Sequence, residues 1–405
     1  MRIWLKNGSL FGHPEAADVL IEGERIIAVG RGLEAREGDG AGRGGRTHVI
    51  DISGRTVLPA FVDSHTHLDK ALIIDLITNE SGTLEEAVRK YRAFAPAIAE
   101  DDVHERALRA ARMAVANGTG ALRTHVNVGG PDGIRLLRPV LAVREELRDE
   151  LLIQIVALPF AGEERSATVR VVEEALQAGA EVVGGAPNLH PDPRWFIDAM
   201  FDIARDHAAS LDFHVDENEE PSADVLEYLA EKTLAEGWQG RVTAGHCCSL
   251  SYVSQQAADR VIGKVREAGL NVITLPSCNM FLMGRRAPGP KSRGVTRVNE
   301  LLAAGVNVAY ASDNIRDPFR PFGNLDMLEE GLFTAQVIQR GYRRELLEVL
   351  RMGTYAGARA MGLEGYGLEP GCYADLVVLE APDPVEAILT RARRALVFHR
   401  GKVIR

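Results

Sequence analysis

The chain is poor in several features that would have pointed elsewhere. It carries only 4 cysteines, at 247, 248, 278 and 372, and none share a C-x-x-C spacing. That excludes a disulfide-framed scaffold or a thiolate zinc ribbon and suits a reducing compartment. No run of 18 apolar residues occurs, so no membrane-spanning helix is expected. The opening stretch, MRIWLKNGSLFG, lacks an apolar core and a small-residue cleavage pattern, and the protein reads as cytoplasmic. Positive charge is short as well: 47 Lys and Arg against 57 Asp and Glu, a formal net charge of −10. Such a balance argues against nucleic acid or an anionic membrane as partner.

What is present is ordinary globular material, 46% hydrophobic and ample for a large core. Both ends read as short strands separated by turns: Arg2–Leu5, Asp18–Glu22, Arg25–Val29, His48–Asp51 and Thr56–Leu58, then Ala374–Glu380, Arg394–His399 and Lys402–Ile404. The Gly-rich stretch Gly38–Gly45 reads as a loop. These ends predict one composite β-sandwich from residues 1–58 plus 365–405.

The middle, 59–364, alternates differently. Short apolar runs recur at Ala60–His67, Ala121–Val128, Ile153–Phe160, Glu181–Ala186, Leu211–Asp216, Val242–Cys247, Asn271–Pro276 and Asn307–Asp313. Between them lie helical patterns such as Thr83–Phe94, Asp102–Ala116, Ser166–Ala178, Ser222–Glu236 and Ser254–Ala268. Strands alternating with helices predict a parallel sheet, and eight repeats of the unit predict an α/β fold closed as a (β/α)₈ TIM-type barrel.

In such a barrel the C-terminal strand ends carry the chemistry. His65 and His67 lie two apart at the end of the first run, so both imidazoles point the same way. The fifth run ends in His214-Val215-Asp216-Glu217, the sixth holds Gly245-His246-Cys247, and the eighth ends in Ser312-Asp313-Asn314. Hydrogen-bonded histidines capping a strand are the bland alternative for one pair. Three imidazoles and a carboxylate gathered from three strands read instead as a metal shell with room for water.

At this point the sequence resembles the amidohydrolase superfamily, in particular its cytosine deaminase branch, and it is also similar to alkylaminotriazine hydrolases. The carrying residues are His65-Thr66-His67-Leu68-Asp69-Lys70, Arg123-Thr124-His125-Val126, Ile155-Val156-Ala157, His214-x-Asp216-Glu217 and Val242-Thr243-Ala244-x-His246. Arg293-Gly294-x-Thr296-Arg297-Val298 and Asp313-Asn314-x-x-Asp317-Pro318-x-x-Pro321-x-Gly323 complete the ordered set. The resemblance implies one divalent ion, zinc or iron, held by His65, His67, His214 and Asp313. Two-metal relatives carry a bridging lysine or acid on strand three or four, and neither run here ends in a lysine. It also implies a small heterocyclic substrate and a homo-oligomer. His246 would orient or deprotonate water, Asp313 would take a proton while ligating, and Glu217 would protonate a ring nitrogen and then the departing ammonia. A surface acid at a strand end and a core histidine are the bland readings of Glu217 and His246.

The pattern also departs from that branch. Phe160 stands where cytosine deaminases carry a pyrimidine-reading glutamine, and a phenyl ring cannot replace that amide's hydrogen bonds. A site built to hydrogen-bond its substrate discriminates by roughly 10⁴ or more, so this change alone argues against plain cytosine. Asn127 replaces an aspartate, Asn314 the second acid of an Asp-Asp pair, and Phe319 a tryptophan. Lys70 and Arg123 bind substrate oxygen or form a salt bridge at the barrel rim, and His125 reaches substrate or supports the metal shell. Cys247 and Cys248 read as small buried residues, and Met283–Arg293 as a long charged loop, with a lid as the sharper alternative.

The leading reading is therefore a hydrolytic deaminase of an aminated nitrogen heterocycle. An N-alkylaminotriazine (ammelide-type) amidohydrolase, or another cyclic amide hydrolase on the same barrel, is the alternative, and the His214-x-Asp216-Glu217 arrangement favours ammonia loss. A non-catalytic scaffold would show gaps in the ligand set, and here the set is complete.

Overall fold

The computed structural model describes residues 2–33, 47–285 and 292–405. The stretch expected as a loop at Gly38–Gly45, and residues 286–291 of the charged segment, lie outside the described residues.

The terminal strands assemble into one eight-stranded sheet. Strand β1 (Arg2–Leu10) pairs antiparallel with β2 (Ala16–Glu22), which pairs with β3 (Arg25–Gly30). Strands β4 (Thr47–Asp51) and β5 (Thr56–Pro59) lie parallel to successive halves of β1. The first strand is longer than its sequence suggested, because Asn7 takes a φ of 64° and the ladder shifts register between Leu5 and Gly8. That bulge makes Asn-Gly look like a turn although the strand continues through it.

The barrel strands follow in order: β6 (Phe61–Thr66), β7 (Thr119–Val128), β8 (Leu152–Pro159), β9 (Val182–Gly185), β10 (Ser210–Val215), β11 (Val242–His246), β12 (Asn271–Thr274) and β13 (Asn307–Tyr310). Each pairs in parallel with the next. The ring closes through a parallel bridge between Thr66 and Asp313, where the Asp313 N–H donates to the His65 carbonyl at 2.8 Å. Closure therefore occurs at two of the residues singled out for chemistry. The chain is a (β/α)₈ barrel joined to a smaller sheet made by its two ends. Strands β14 (Leu376–Leu379), β15 (Arg394–His399) and β16 (Lys402–Val403) return to that sheet, β14 pairing antiparallel with β5.

Why these segments form these elements is local physics. All ten residues of β7 are buried, as expected for a parallel strand covered on both faces. The helix Glu100–Ala116 turns Val103, Ala107, Ala110, Ala111 and Ala114 inward, an i, i+3/i+4 stripe of small side chains that seats it closely on the barrel. Helices start where a side chain accepts an orphan N–H: Thr83 from Glu86, Asp192 from Trp195 with Pro193 following, and Ser254 from Ala257. Helices Arg165–Ala178 and Asp224–Glu236 end on Gly179 and Gly237 in the left-handed conformation.

Arg394 ties the small sheet to the barrel, donating to the Asn117 carbonyl at 2.9 Å and pairing with Asp326. One contiguous apolar core runs through both parts. Among the described residues, no helix is long and apolar enough to cross a membrane.

Candidate active site

The site forms where the strand ends meet, and backbone strain marks the place. Asp216, His246, Cys247 and Asp313 all take φ values between 49° and 67°. A left-handed non-glycine residue costs on the order of 1–3 kcal/mol, so the surroundings must enforce it. At Asp216 they do: its N–H donates to the Asn188 Oδ1 at 2.7 Å, and its carboxylate accepts from Asn188 and from the Leu226 N–H. Around Asp313, Arg320 donates to the carbonyls of Ser312 (2.7 Å) and Asn314 (3.4 Å), and its guanidinium also pairs with buried Glu330 at 2.6 Å. The turn at Asp216 is what sends Glu217, the next residue, toward the cavity.

Four donor atoms converge. His214 Nε2 lies 3.2 Å from His65 Nε2 and 3.2 Å from His67 Nε2. Asp313 Oδ1 lies 3.3 Å from His67 Nε2 and 3.7 Å from His65 Nε2. A tetrahedral ion with ligands at about 2.0–2.2 Å holds them roughly 3.3–3.6 Å apart, so the quartet fits a single divalent ion. Two looser groupings, His65–His125–His214 and His65–His246–Asp313, bring donors within 4.8 Å of one another. Both Asp313 oxygens lack a hydrogen-bond partner despite burial.

The electrostatics point the same way. Burial pushes the pKa of His65, His67 and His214 below the usual imidazole value, with neighbouring imidazoles and Lys70 adding to it. Neutral imidazoles are what a cation requires. Burial alone would raise Asp313, but the adjacent His67 and the nearby His246 hold it below the ordinary carboxylate value. The His67 Nδ1 faces the His125 carbonyl at 3.1 Å, which accepts, and the Lys70 ammonium at 3.0 Å, which donates, while its Nε2 faces the quartet.

Beside the quartet stands a second pair. His246 Nδ1 is 3.3 Å from Glu217 Oε1, and the Asn279 amide Nδ2 donates to the same nitrogen at 2.9 Å. That donation leaves the His246 proton on Nε2, which has no partner. Burial lowers the His246 pKa to about 4, so the ring is neutral near pH 7. Glu217 moves the other way: burial, then the Asp313 carboxylate, push its carboxyl well above the usual value.

The cavity over these groups has apolar walls with a few polar teeth. Phe160, Phe319, Tyr91 and Phe196 line it together with Lys70, Asn127, Asn314, Glu217 and His246. The Lys70 ammonium is buried 5.1 Å from the Tyr91 ring centroid and 5.9 Å from that of Phe319. Asn314 donates to Asp317 at 2.6 Å, and the Asn127 backbone N–H donates to Asp69, which also accepts from the Tyr91 hydroxyl.

His125 is not on the cavity wall. It is buried with its ring centroid 4.0 Å from that of His65, and its Nε2 sits 3.7 Å from Asp212. Arg123 lies inside the barrel rather than at its rim, donating to Asp212 and Gln154, each at 2.7 Å. Cys247 and Cys248 are fully buried. Sequence reading missed Tyr91 and His190 on the wall, and Asn279 behind His246. The Ser-Cys-Asn-Met run after the seventh strand was the available signal for Asn279.

Comparison with known proteins gives the family. The family model described as "Amidohydrolase family" matches residues 75–404. The chain is 30% identical over 413 residues to N-isopropylammelide isopropyl amidohydrolase of Pseudomonas sp. (strain ADP), covering 99% of this chain and 96% of that protein. It is 34% identical over 359 residues to pterin deaminase of Rhizobium rhizogenes, covering 87% and 82%. The crystal structure of 5-methylcytosine deaminase from Klebsiella pneumoniae liganded with phosphonocytosine superposes with a TM-score of 0.92 at 32% identity, over 100% of this chain and 98% of that one. The chain belongs to the amidohydrolase family and is a hydrolase of carbon–nitrogen bonds other than peptide bonds.

Proposed function

We propose that this protein is a mononuclear, metal-dependent deaminase of a small aminated nitrogen heterocycle. The observation that carries the reading is one cavity holding both parts of the machinery. A quartet of donors whose neighbouring members lie 3.2–3.7 Å apart stands beside a Glu217–His246 pair 3.3 Å apart. His65, His67, His214 and Asp313 would hold the ion, zinc or iron. Bound there, a divalent ion supplies the Lewis acidity that makes water a nucleophile near neutral pH.

The side chains divide the remaining work. Asp313, whose Oδ2 has no partner, takes a proton from the attacking water. Glu217, whose carboxyl burial and the Asp313 carboxylate push above its usual value, donates to the ring nitrogen next to the amine-bearing carbon. His246 offers an Nε2–H rather than a lone pair, which makes it a donor to the oxygen adding at that carbon, not a base. Carbon–nitrogen cleavage then needs one proton on the departing amine, relayed through Glu217. The balance is water consumed, a ring carbonyl formed and ammonia released.

Phe160 and Phe319 give this ring apolar surfaces, while Lys70 offers a cation to an oxygen substituent on it. This combination suits an oxygenated heterocycle other than plain cytosine. Loss of an alkylamine in place of ammonia is the second reading, favoured by the 30% identity to an enzyme named for isopropyl amide hydrolysis.

The test is amine release by the metal-analysed protein against cytosine, 5-substituted cytosines, isocytosine, creatinine, aminotriazines, N-alkylaminotriazines and pterins. Ammonia from one ring, reduced by about 10²–10⁴ in Glu217→Gln with metal content retained, supports the deaminase. Alkylamine release alone moves the assignment to the second reading. No amine from any ring, at about one ion per chain, overturns both.

A further inference from the structure

The catalytic cavity does not end at its mouth. A wider groove continues from it, sharing Leu84, Val88, Ala161, Leu189 and Glu217 with the inner wall. Counted out to its open side the groove encloses about 1970 Å³, against about 780 Å³ for the inner cavity. A monocyclic ring seated on the donor quartet would leave this space to water.

The groove has a definite chemistry. Leu84, Val88 and Leu189, with Leu282 and Met283 further out, make an apolar strip, and Leu189 is 41% exposed. Charges of both signs line it, Glu85, Glu217, Glu219 and Glu220 with Arg89, Arg92 and Arg285. Several are already engaged: Arg92 pairs with Glu163 at 3.4 Å, Glu219 accepts from the Gly284 N–H at 3.0 Å, and Arg285 donates to the Phe281 carbonyl at 2.9 Å. Such a channel attracts neither anions nor cations strongly and removes apolar surface from water.

We infer that the substrate of this enzyme is a heterocycle bearing an uncharged, largely apolar substituent of several heavy atoms, which runs past Glu217 into this groove. The inference rests on the deaminase reading and specifies its substrate class. The shared residue Glu217 places the start of the groove at the reacting edge of the ring, so the substituent leaves the ring near that edge.

The experiment compares an aminated ring with its methyl, propyl and pentyl derivatives in wild type, Ala93→Trp and Arg89→Trp. Ala93 and Arg89 are exposed, lie one turn apart on the helix Leu84–Phe94 and line the groove alone. Each added methylene should raise wild-type kcat/KM by about three- to fourfold until the strip is covered. Either tryptophan should cut the pentyl derivative by about tenfold or more while leaving the bare ring within about twofold. A rate flat with chain length overturns the groove assignment while the deaminase stands, as does a tryptophan that slows bare and substituted rings equally. No ammonia from any member of the series overturns the deaminase reading and this inference with it.

Discussion

The barrel interior has a floor and a mouth, and they treat buried polar groups in opposite ways. On the floor, Arg123 is met by Asp212, Gln154 and the Ala360 carbonyl, and Asp63 accepts from both the N–H and the hydroxyl of Ser312. A few ångströms along the strands, His246 Nε2 and both Asp313 oxygens are buried without partners. Leaving such groups unpaired costs about 1–3 kcal/mol each, and a fold maintains that cost where a ligand will relieve it. Pairing on the floor, where Asp212 Oδ1 is the exception among these groups, therefore signals architecture, and orphaned atoms at the mouth signal function. His125 sits at the boundary, with both nitrogens orphaned but no face on the cavity.

The sharpest way to break that comparison is to remove one mouth imidazole. His214→Ala should lower bound metal from about one ion per chain to near none and reduce turnover by about 10⁴ or more, measured by metal analysis and amine release. Because the orphaned nitrogens carry a cost in the metal-free chain, stability without metal should change little in this variant. A large drop in the urea midpoint of metal-free His214→Ala would show that the mouth is structural after all.

The floor should answer in reverse. Arg123→Met leaves the buried Asp212 without its cation, and breaking a buried pair this way costs about 3–5 kcal/mol. The readout is the denaturation midpoint, with metal stoichiometry of the folded fraction unchanged. In the double variant Arg123→Met/Asp212→Leu both charges are gone, and much of the stability should return. If the double variant is no better than the single one, Asp212 does more than balance Arg123.

This contrast also explains what the sequence made legible. The eight strand runs, the histidine pair at 65 and 67 and the later His214, Glu217, His246 and Asp313 stood out because a period-two strand end displays polar residues against an apolar run. The β-bulge at Asn7 was hidden, because Asn-Gly looks the same in a bulge as in a turn. The placement of His125 and Arg123 was hidden too. Both lie on β7, where every position is buried, and alternation alone does not say how deep along the axis a side chain falls. Tyr91 and Asn279 reach the site from helices, where nothing local marks the face turned to the cavity. Phe160 was legible only because its neighbours aligned with a known pattern.

Asn279 offers the smallest and most discriminating test. It satisfies a mouth imidazole from behind, donating to His246 Nδ1 and so fixing the proton on Nε2. If His246 works as a donor, Asn279→Ala releases the tautomer, and part of the population presents a lone pair where an N–H is needed. The expected loss in kcat is about ten- to a hundredfold, the scale of a lost orienting partner, with KM and metal content nearly unchanged. Asn279→Asp goes further, because a carboxylate accepts from Nδ1 and forces the opposite tautomer. If His246 is a base instead, that substitution should preserve or raise kcat, since an orienting carboxylate on the far nitrogen is how a basic imidazole is supported. The two variants therefore separate donor from base by the sign of one difference, and a kcat that falls in Asn279→Asp below that of Asn279→Ala would fix His246 as the donor.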